Sequence, residues 1–392
     1  MTLFGSGKTT KAIAKRFKNA LFFEDIDKEF VDEDGFLHCP SHAFDPARSS
    51  LEIPSPGIPP HHPLIQKARN LISEYDLFAS AMPYSIWISG TNGKTTTTQM
   101  ITHLLSDKGA VSGGNIGTPL AELSAEAPIW VLESSSFTLH YTRIAKPNLY
   151  VLLPIAPDHI SWHGSFEAYE AAKLKPITTL HEGEVAIVPK KYADTPSQGM
   201  VIGYESSEDL AAYFDLDIDR VRFEGAFLLD ALLALAVRKI LFFDTPYDRI
   251  NTFRLDPHKQ EELFDAQGRL WVDDSKATNI DATIEAIKRY KDRTIHLILG
   301  GESKGVSLEP LFAHLSNVKI YAIGKSAKEI VKLCQKYDLP YMEAKTLQNA
   351  VEAIRKELKK GEVALLSPAC ASLDQFRSYK HRGELFKQYI LS

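Results

Sequence analysis

The run Gly90-Thr91-Asn92-Gly93-Lys94-Thr95 lies between the apolar stretch Tyr84–Ser89 and the threonines Thr96–Thr98. It reads as a strand that turns through two glycines into a helix. Such a turn aims backbone N–H groups at a polyphosphate, offers a lysine as a mobile cation, and places a hydroxyl, that of Thr95, within reach of a magnesium ion. Gly90, Thr91, Asn92, Gly93, Lys94, Thr95 and Thr96 are therefore assigned to a triphosphate, and the chain is expected to spend ATP. The usual phosphate-loop spacing would put a glycine where this chain has Ile88. A second triplet, Gly7-Lys8-Thr9, follows only Met1–Phe4, a minimal strand, and precedes the amphipathic Lys11–Phe17. It is read as a Rossmann-type turn able to hold a phosphate, not as a second ATPase centre.

Other polar clusters stand beyond strand-like runs. Glu133 ends Ile129–Glu133 and precedes Ser134-Ser135-Ser136-Phe137; its carboxylate suits magnesium, and the serines suit a helix N-cap equally well. Asp158-His159, after the strand Leu149–Leu153, adds an oxygen and an imidazole on the same rim, which together with Glu133 makes a magnesium site. Lys173, within Tyr169–Lys175, reads by itself as a solvated helix lysine. Asp274-Ser275-Lys276-Ala277-Thr278-Asn279, Gly300-Gly301-Glu302-Ser303-Lys304 and Ser367–Phe376 each follow a strand and read as binding loops. Cys370, in the last of these, has no base placed for it and is expected to be a packing residue.

The elements that must carry these groups alternate between strand and helix, which predicts an α/β protein with parallel sheets covered by helices. A chain of 392 residues exceeds one ordinary core. Three domains are expected: a small Rossmann-like N-terminal domain over 1–82, a central phosphate-loop ATPase domain with a parallel sheet over 83–255, and a Rossmann-like C-terminal domain over 256–392. The proline-rich Ile53–Pro63 is read as neither helix nor strand, with a helix over Leu64–Tyr75 after it. An apolar helix, Phe227–Leu241, precedes the boundary near Arg254–His258. Leu270–Asp274, Ile295–Leu299, Val318–Ala322 and Val363–Leu366 supply the third sheet.

Lys and Arg number 45 against 50 Asp and Glu, a net charge of −5 that gives no electrostatic reason for a nucleic-acid partner. No apolar run is long enough to span a membrane and no charged-then-apolar leader opens the chain, so a cytoplasmic monomer off the membrane is expected. Cys39, Cys334 and Cys370 are too scattered to predict a disulfide or structural zinc.

Taken in order, Gly90–Thr95, Asn115-Ile116-Gly117, Glu133–Phe137, Ala171-Ala172-Lys173-Leu174, Asp274–Asn279 and Ser367–Phe376 resemble the Mur ligases across residues 55–385. The last two motifs are most similar to the branch that adds D-glutamate. The resemblance implies that ATP phosphorylates the carboxylate of UDP-N-acetylmuramoyl-L-alanine and that the amine of D-glutamate attacks the acyl phosphate, a step of peptidoglycan precursor synthesis. It implies Lys94 and Thr95 on the phosphates and magnesium, Glu133 and His159 on magnesium, and a carbamylated Lys173 on a second magnesium ion. Lys94, Lys173 and His159 form the implied catalytic set.

By the same resemblance Asp274, Lys276 and Lys259 face the nucleotide. Thr278, Lys304, Ser372, Leu373 and Tyr379 line the D-glutamate pocket. Ser6, Gly7, Lys8, Asp25, Ser55, Pro56, Gly57 and Asn115 hold the UDP substrate. Three positions depart from the family pattern. Lys259 stands where relatives carry an arginine, Ala226–Asp230 where they carry a His-Asn run and an adenine-side asparagine, and Tyr379 where they carry a phenylalanine. The first two predict slack nucleotide specificity. A ligase of the folylpolyglutamate type is the nearest rival, and the Asp274 and Ser367 loops argue against it. A nucleotide switch without ligase chemistry would have no use for Lys304.

Overall fold

The computed structural model describes residues 1–391. The first sheet is built from β1 (Thr2–Phe4), β2 (Leu21–Glu24), β3 (Phe30–Val31), β4 (Leu37–Pro40) and β5 (Glu52–Pro54), in the order β3-β4-β2-β1-β5. All its pairings are parallel except β3 with β4. The second holds β6 (Tyr84–Ser89), β7 (Ala110–Gly114), β8 (Ile129–Glu133), β9 (Leu149–Leu152), β10 (Val185–Pro189) and β11 (Met200–Tyr204) in the order β11-β10-β9-β6-β8-β7, parallel throughout. The third holds β12 (Glu261–Phe264), β13 (Leu270–Asp273), β14 (Ile295–Gly300), β15 (Val318–Ile323), β16 (Tyr341–Lys345) and β17 (Val363–Leu366) in the order β12-β13-β17-β14-β15-β16. There only the edge strand β12 runs antiparallel.

The protein is thus an α/β protein of three sheet domains, as its alternating pattern predicts. The central strands are apolar on both faces because helices cover both, and β8, Ile-Trp-Val-Leu-Glu, is buried at every position. β12 instead alternates half-buried and exposed residues, which a reading tuned to apolar runs passes over. Two compact units result. Met1–Ile155 with Trp162–Phe253 carries the first two sheets on a shared core in which Leu3, Ile13 and Phe22 join Trp87, Trp130 and Tyr150. Ala156–Ser161 with Arg254 onward carries the third sheet.

Two expectations are corrected. Ile53 and Pro54 do pair, as the edge strand β5 beside β1; a proline, which has no N–H to give, is tolerated at an edge. The helix expected over Leu64–Tyr75 is two short helices, Pro63–Lys67 and Glu74–Phe78. Between them Leu71 bridges to Glu52, whose carboxylate accepts from Asn70 N at 2.6 Å, and Ser73 with Asp76 forms a capping box that starts the second helix afresh. The apolar helix spans Gly225–Phe242, wider than expected. Among the described residues no helix is long and apolar enough to cross a membrane. All three cysteines are buried and unpaired.

Candidate active site

The phosphate turn leaves β6 and enters the helix Lys94–Leu105. Gly90 and Gly93 take φ of 139° and 80°, and the space is as restrictive as the backbone: a Cβ at Gly90 would stand 2.5 Å from Leu153 Cβ, and one at Gly93 2.6 Å from Asp230 Oδ1. Lys94 folds back over the turn, its Nζ donating to Gly90 O at 2.9 Å and Thr91 O at 2.7 Å. Ile88 lies fully buried inside β6, paired with Glu133 and Val151, so the residue that breaks the common motif is strand core. Asp230, which stands where relatives carry an adenine-side asparagine, is buried in the floor of the turn and accepts from Thr97 Oγ1 at 2.8 Å.

Glu133 ends β8 and is buried. Its Oε1 accepts from Asn115 Nδ2 at 2.6 Å, whereas Oε2 is buried with no hydrogen-bond partner. An unpaired buried carboxylate oxygen is costly, and a hard cation is the partner that suits it, so this residue fits a magnesium ligand. The serines after it cap a helix, with Ser135 Oγ accepting from Thr138 N at 3.0 Å, as the N-cap reading of that run expects.

Lys173 is not solvated. On the helix Phe166–Thr178 it is 1% exposed, and its Nζ donates to Gly90 O at 2.7 Å and Ser89 Oγ at 3.3 Å while lying 4.8 Å above the Tyr169 ring. Tyr169 precedes it by one helical turn and makes a 2.9 Å hydroxyl–hydroxyl bond with Thr91. Sequence reasoning missed Tyr169, although the spacing of four that puts it on the face of Lys173 was there to be read.

In the first sheet, Ser6 Oγ donates to Glu24 Oε2 at 2.7 Å, and a Cβ at Gly7 would stand 2.4 Å from Ser55 Oγ. Glycine thus lets the Ser55-Pro56-Gly57 loop close on the opening turn, and Trp162 Nε1 holds that loop through Gly57 O at 3.0 Å. Lys8 reaches away to Gly117 O, in the turn that carries Asn115. Asp25 stands apart: its carboxylate is largely exposed and pairs with His62 at 3.0 Å.

The second unit gathers the remaining candidates. Asp274 follows β13 and is buried, accepting from Ser367 Oγ at 2.7 Å and Gln260 N at 3.3 Å; burial pushes its carboxyl up to about 8 against those bonds. It latches two loops together. Lys276 Nζ lies 4.3 Å over the Tyr379 ring, and Lys259 is buried with its Nζ 3.2 Å from Asp256. Lys304 Nζ sits 3.1 Å from Asp158 Oδ1. Burial would raise the Asp158 carboxyl, but Lys304 and His159 together hold it below the ordinary range. His159 takes a left-handed φ of 52°. Ser372 is buried, Thr278 and Tyr379 are half-buried, and Leu373 is exposed.

Arg382, which the sequence did not single out, is fully buried and donates to Ser275 O at 2.8 Å and to Cys370 O at 3.2 Å, tying the Asp274 and Ser367 loops together. Burial lowers its guanidinium to about 10 and raises the Cys370 thiol to about 11, which fits Cys370 as a packing residue. His258, Glu261 and Asp273 cluster within ligand distance of one another, but Lys387 Nζ already stands 2.5 Å from Glu261 Oε2.

The profile of the Mur ligase middle domain matches residues 88–210, and that of the Mur ligase glutamate ligase domain matches residues 261–370. The UDP-N-acetylmuramoylalanine--D-glutamate ligase of Campylobacter jejuni strain 81-176 is 52% identical over 397 residues, covering 100% of this chain and 99% of its own. The enzyme of the same name from Helicobacter pylori strain J99 is 48% identical over 418 residues, with 100% and 99% covered. Among solved structures, MurF of Thermotoga maritima in complex with ADP superposes with a TM-score of 0.59 at 17% identity, covering 95% of this chain and 94% of that one. MurC of the same organism gives 0.58 at 15% identity, with 99% and 98% covered. At those identities the likeness is one of fold. With its two matched domains and its full-length relatives, the chain belongs to the Mur ligase family.

Proposed function

We propose that this chain is an ATP-dependent ligase that joins D-glutamate to UDP-N-acetylmuramoyl-L-alanine. The observation that carries the reading is its end-to-end similarity, at about half identity, to ligases of that name. Residues 1–82 serve the UDP substrate, 83–255 ATP, and 256–392 the amino acid. The γ-phosphoryl group passes to the L-alanine carboxylate and ADP leaves. The D-glutamate amine then attacks the acyl carbon, phosphate leaves with the bonding pair, and the amine proton goes to solvent.

The residues of the phosphate turn divide this work. Backbone N–H groups of Gly90–Thr95 and the Lys94 ammonium bind the transferring phosphates, and Thr95 and Glu133 face the position a magnesium ion would take. Magnesium held there by Thr95 and Glu133 would supply positive charge to offset that of the phosphoryl oxygens. Lys173, directed at Gly90 O, is the lysine that the family resemblance assigns to carbamylation, which would put an anion and a second magnesium position beside the turn; His159 is assigned to metal on the same resemblance. Lys304 takes a glutamate carboxylate, with Ser372 and Thr278 as hydroxyl donors.

Hydroxylamine tests the intermediate. Protein supplied with ATP, magnesium, UDP-N-acetylmuramoyl-L-alanine and hydroxylamine, without D-glutamate, is expected to yield the substrate hydroxamate. Formation of no hydroxamate while D-glutamate-dependent amide is still made would contradict the acyl-phosphate route.

A further inference from the structure

The loop Ser55-Pro56-Gly57-Ile58, which follows β5, is held by two side chains from the part of the chain that carries the second sheet. Trp162 Nε1 donates to Gly57 O at 3.0 Å, and the Tyr141 hydroxyl donates to Ile58 O at 2.6 Å. The loop in turn lies against the opening turn: Ser55 N donates to Phe4 O at 2.8 Å, and Ser55 Oγ leaves no room for a side chain at Gly7. Its place beside that turn is therefore set from both sides.

Trp162 also begins a run of ring contacts. Its indole packs on the Phe137 ring, centroids 4.5 Å apart, and on the imidazole of its neighbour His163, 4.4 Å away. His163 Nε2 lies 3.0 Å from Ser136 Oγ, and its ring stands 5.3 Å from that of Tyr169. The Tyr169 hydroxyl bonds Thr91 Oγ1 at 2.9 Å in the phosphate turn, and the same ring lies beneath Lys173 Nζ. Three aromatic side chains thus join Gly57 O to the phosphate turn. Rings of this kind have few rotamers and pack closely, so a shift at one end is passed along the run instead of being absorbed. A ligand that orders the loop then lowers the ordering cost at the turn.

We propose that Trp162 and His163 are positioning residues that set loop 55–58 and the phosphate turn together, so that the UDP substrate and ATP each bind more tightly when the other is present. The proposal rests on the reading of this loop as part of the UDP-substrate site. Neither residue has to touch a ligand, since Trp162 acts through Gly57 and His163 through Tyr169. The coupling is reciprocal: both affinities change by the same factor.

The test is calorimetric binding of an ATP analogue with an imido bridge between its β- and γ-phosphates, in magnesium, with and without saturating UDP-N-acetylmuramoyl-L-alanine. Wild type is expected to bind the analogue at least about fivefold more tightly when the UDP substrate is present. Trp162→Phe keeps a ring but loses the N–H, and His163→Gln keeps a polar group for Ser136 but loses the ring. In each the ratio should fall to about one to twofold, with the analogue's affinity in the absence of the UDP substrate within about twofold of wild type. Tyr141→Phe frees Ile58 O but leaves the run of rings in place, so it should weaken the UDP substrate and keep the ratio, as a merely structural contact does. A ratio of about one in wild type, or the wild-type ratio kept by both Trp162→Phe and His163→Gln, would overturn the proposal and leave the reading of the loop standing. Wild type that binds no UDP substrate would overturn that reading and the proposal with it. The two variants cut different links, so either one carries the test if the other fails to fold.

Discussion

Asn115 grips the last residue of β8 at both ends: its Nδ2 donates to Glu133 Oε1 at 2.6 Å and its backbone N to Glu133 O at 2.8 Å. The family resemblance places Asn115 on the muramoyl substrate, and its two bonds to Glu133 give it the geometry to orient that carboxylate as well. Asn115→Ala should free that carboxylate to rotate, lowering activity by roughly 10–100-fold and raising the magnesium concentration for half-maximal rate. Phosphate release titrated with magnesium checks this, and an unchanged titration would remove the orienting role.

Lys173→Ala should lose at least about a hundredfold in activity, because the group beside Gly90 O is then gone from the centre where phosphoryl charge is stabilised. Formate or acetate, small enough for the vacated space, should restore part of the rate if the lysine acts as a carbamate. A fully active variant would rule that role out.

Lys304 is held at 3.1 Å by Asp158, so a substrate carboxylate must compete with a carboxylate already present. Lys304→Ala should raise KM for D-glutamate by at least about tenfold with UDP-substrate binding kept. Asp158→Asn should move that KM the other way by releasing the lysine. Steady-state kinetics in D-glutamate distinguish the two, and a KM for D-glutamate indifferent to Lys304 would contradict the pocket assignment.

Asp274 predicts a pH dependence of stability. Its carboxyl rises from 3.8 to about 8 on folding, chiefly through burial, so the folded chain holds the proton more tightly than the unfolded one. The contribution is whole below pH 3.8 and is lost as pH climbs through the window from there to about 8. Glu74, raised to about 8 by burial, acts in the same direction in the first unit. Asp274→Asn keeps a neutral group on Ser367, so the wild-type chain should lose on the order of a few kcal/mol more than the variant between pH 5 and 8. Urea unfolding of both at the two pH values measures the difference; identical slopes would place the titration elsewhere.

The strands that carry chemistry were legible because burial on both faces writes itself as a short apolar run: Ile129–Glu133 and Val363–Leu366 stand where that pattern puts them. Edge strands were not, since β12 and β16 are half in solvent and their residues alternate or stay polar. The phosphate turn was legible from its two glycines and Lys94 set directly after an apolar strand, although Ile88 breaks the usual glycine spacing. Lys173 was not: helix periodicity says which face a lysine shares with Tyr169 but not whether that face meets solvent or the Gly90 carbonyl. Arg382 was equally silent, since it takes its meaning from carbonyls of two loops that follow distant strands. The bonds of Asn115 to Glu133 and of Thr97 to Asp230 were silent for the same reason, since the fold alone brings those residues together.

The central claim is tested most directly by phosphate release from ATP with magnesium and UDP-N-acetylmuramoyl-L-alanine, comparing D-glutamate with L-glutamate, L-lysine and glycine. Release that depends on the UDP substrate and is stimulated by D-glutamate, with the others at background, is the predicted result. Release stimulated equally by another of these amino acids, or independent of any of them, would contradict the account.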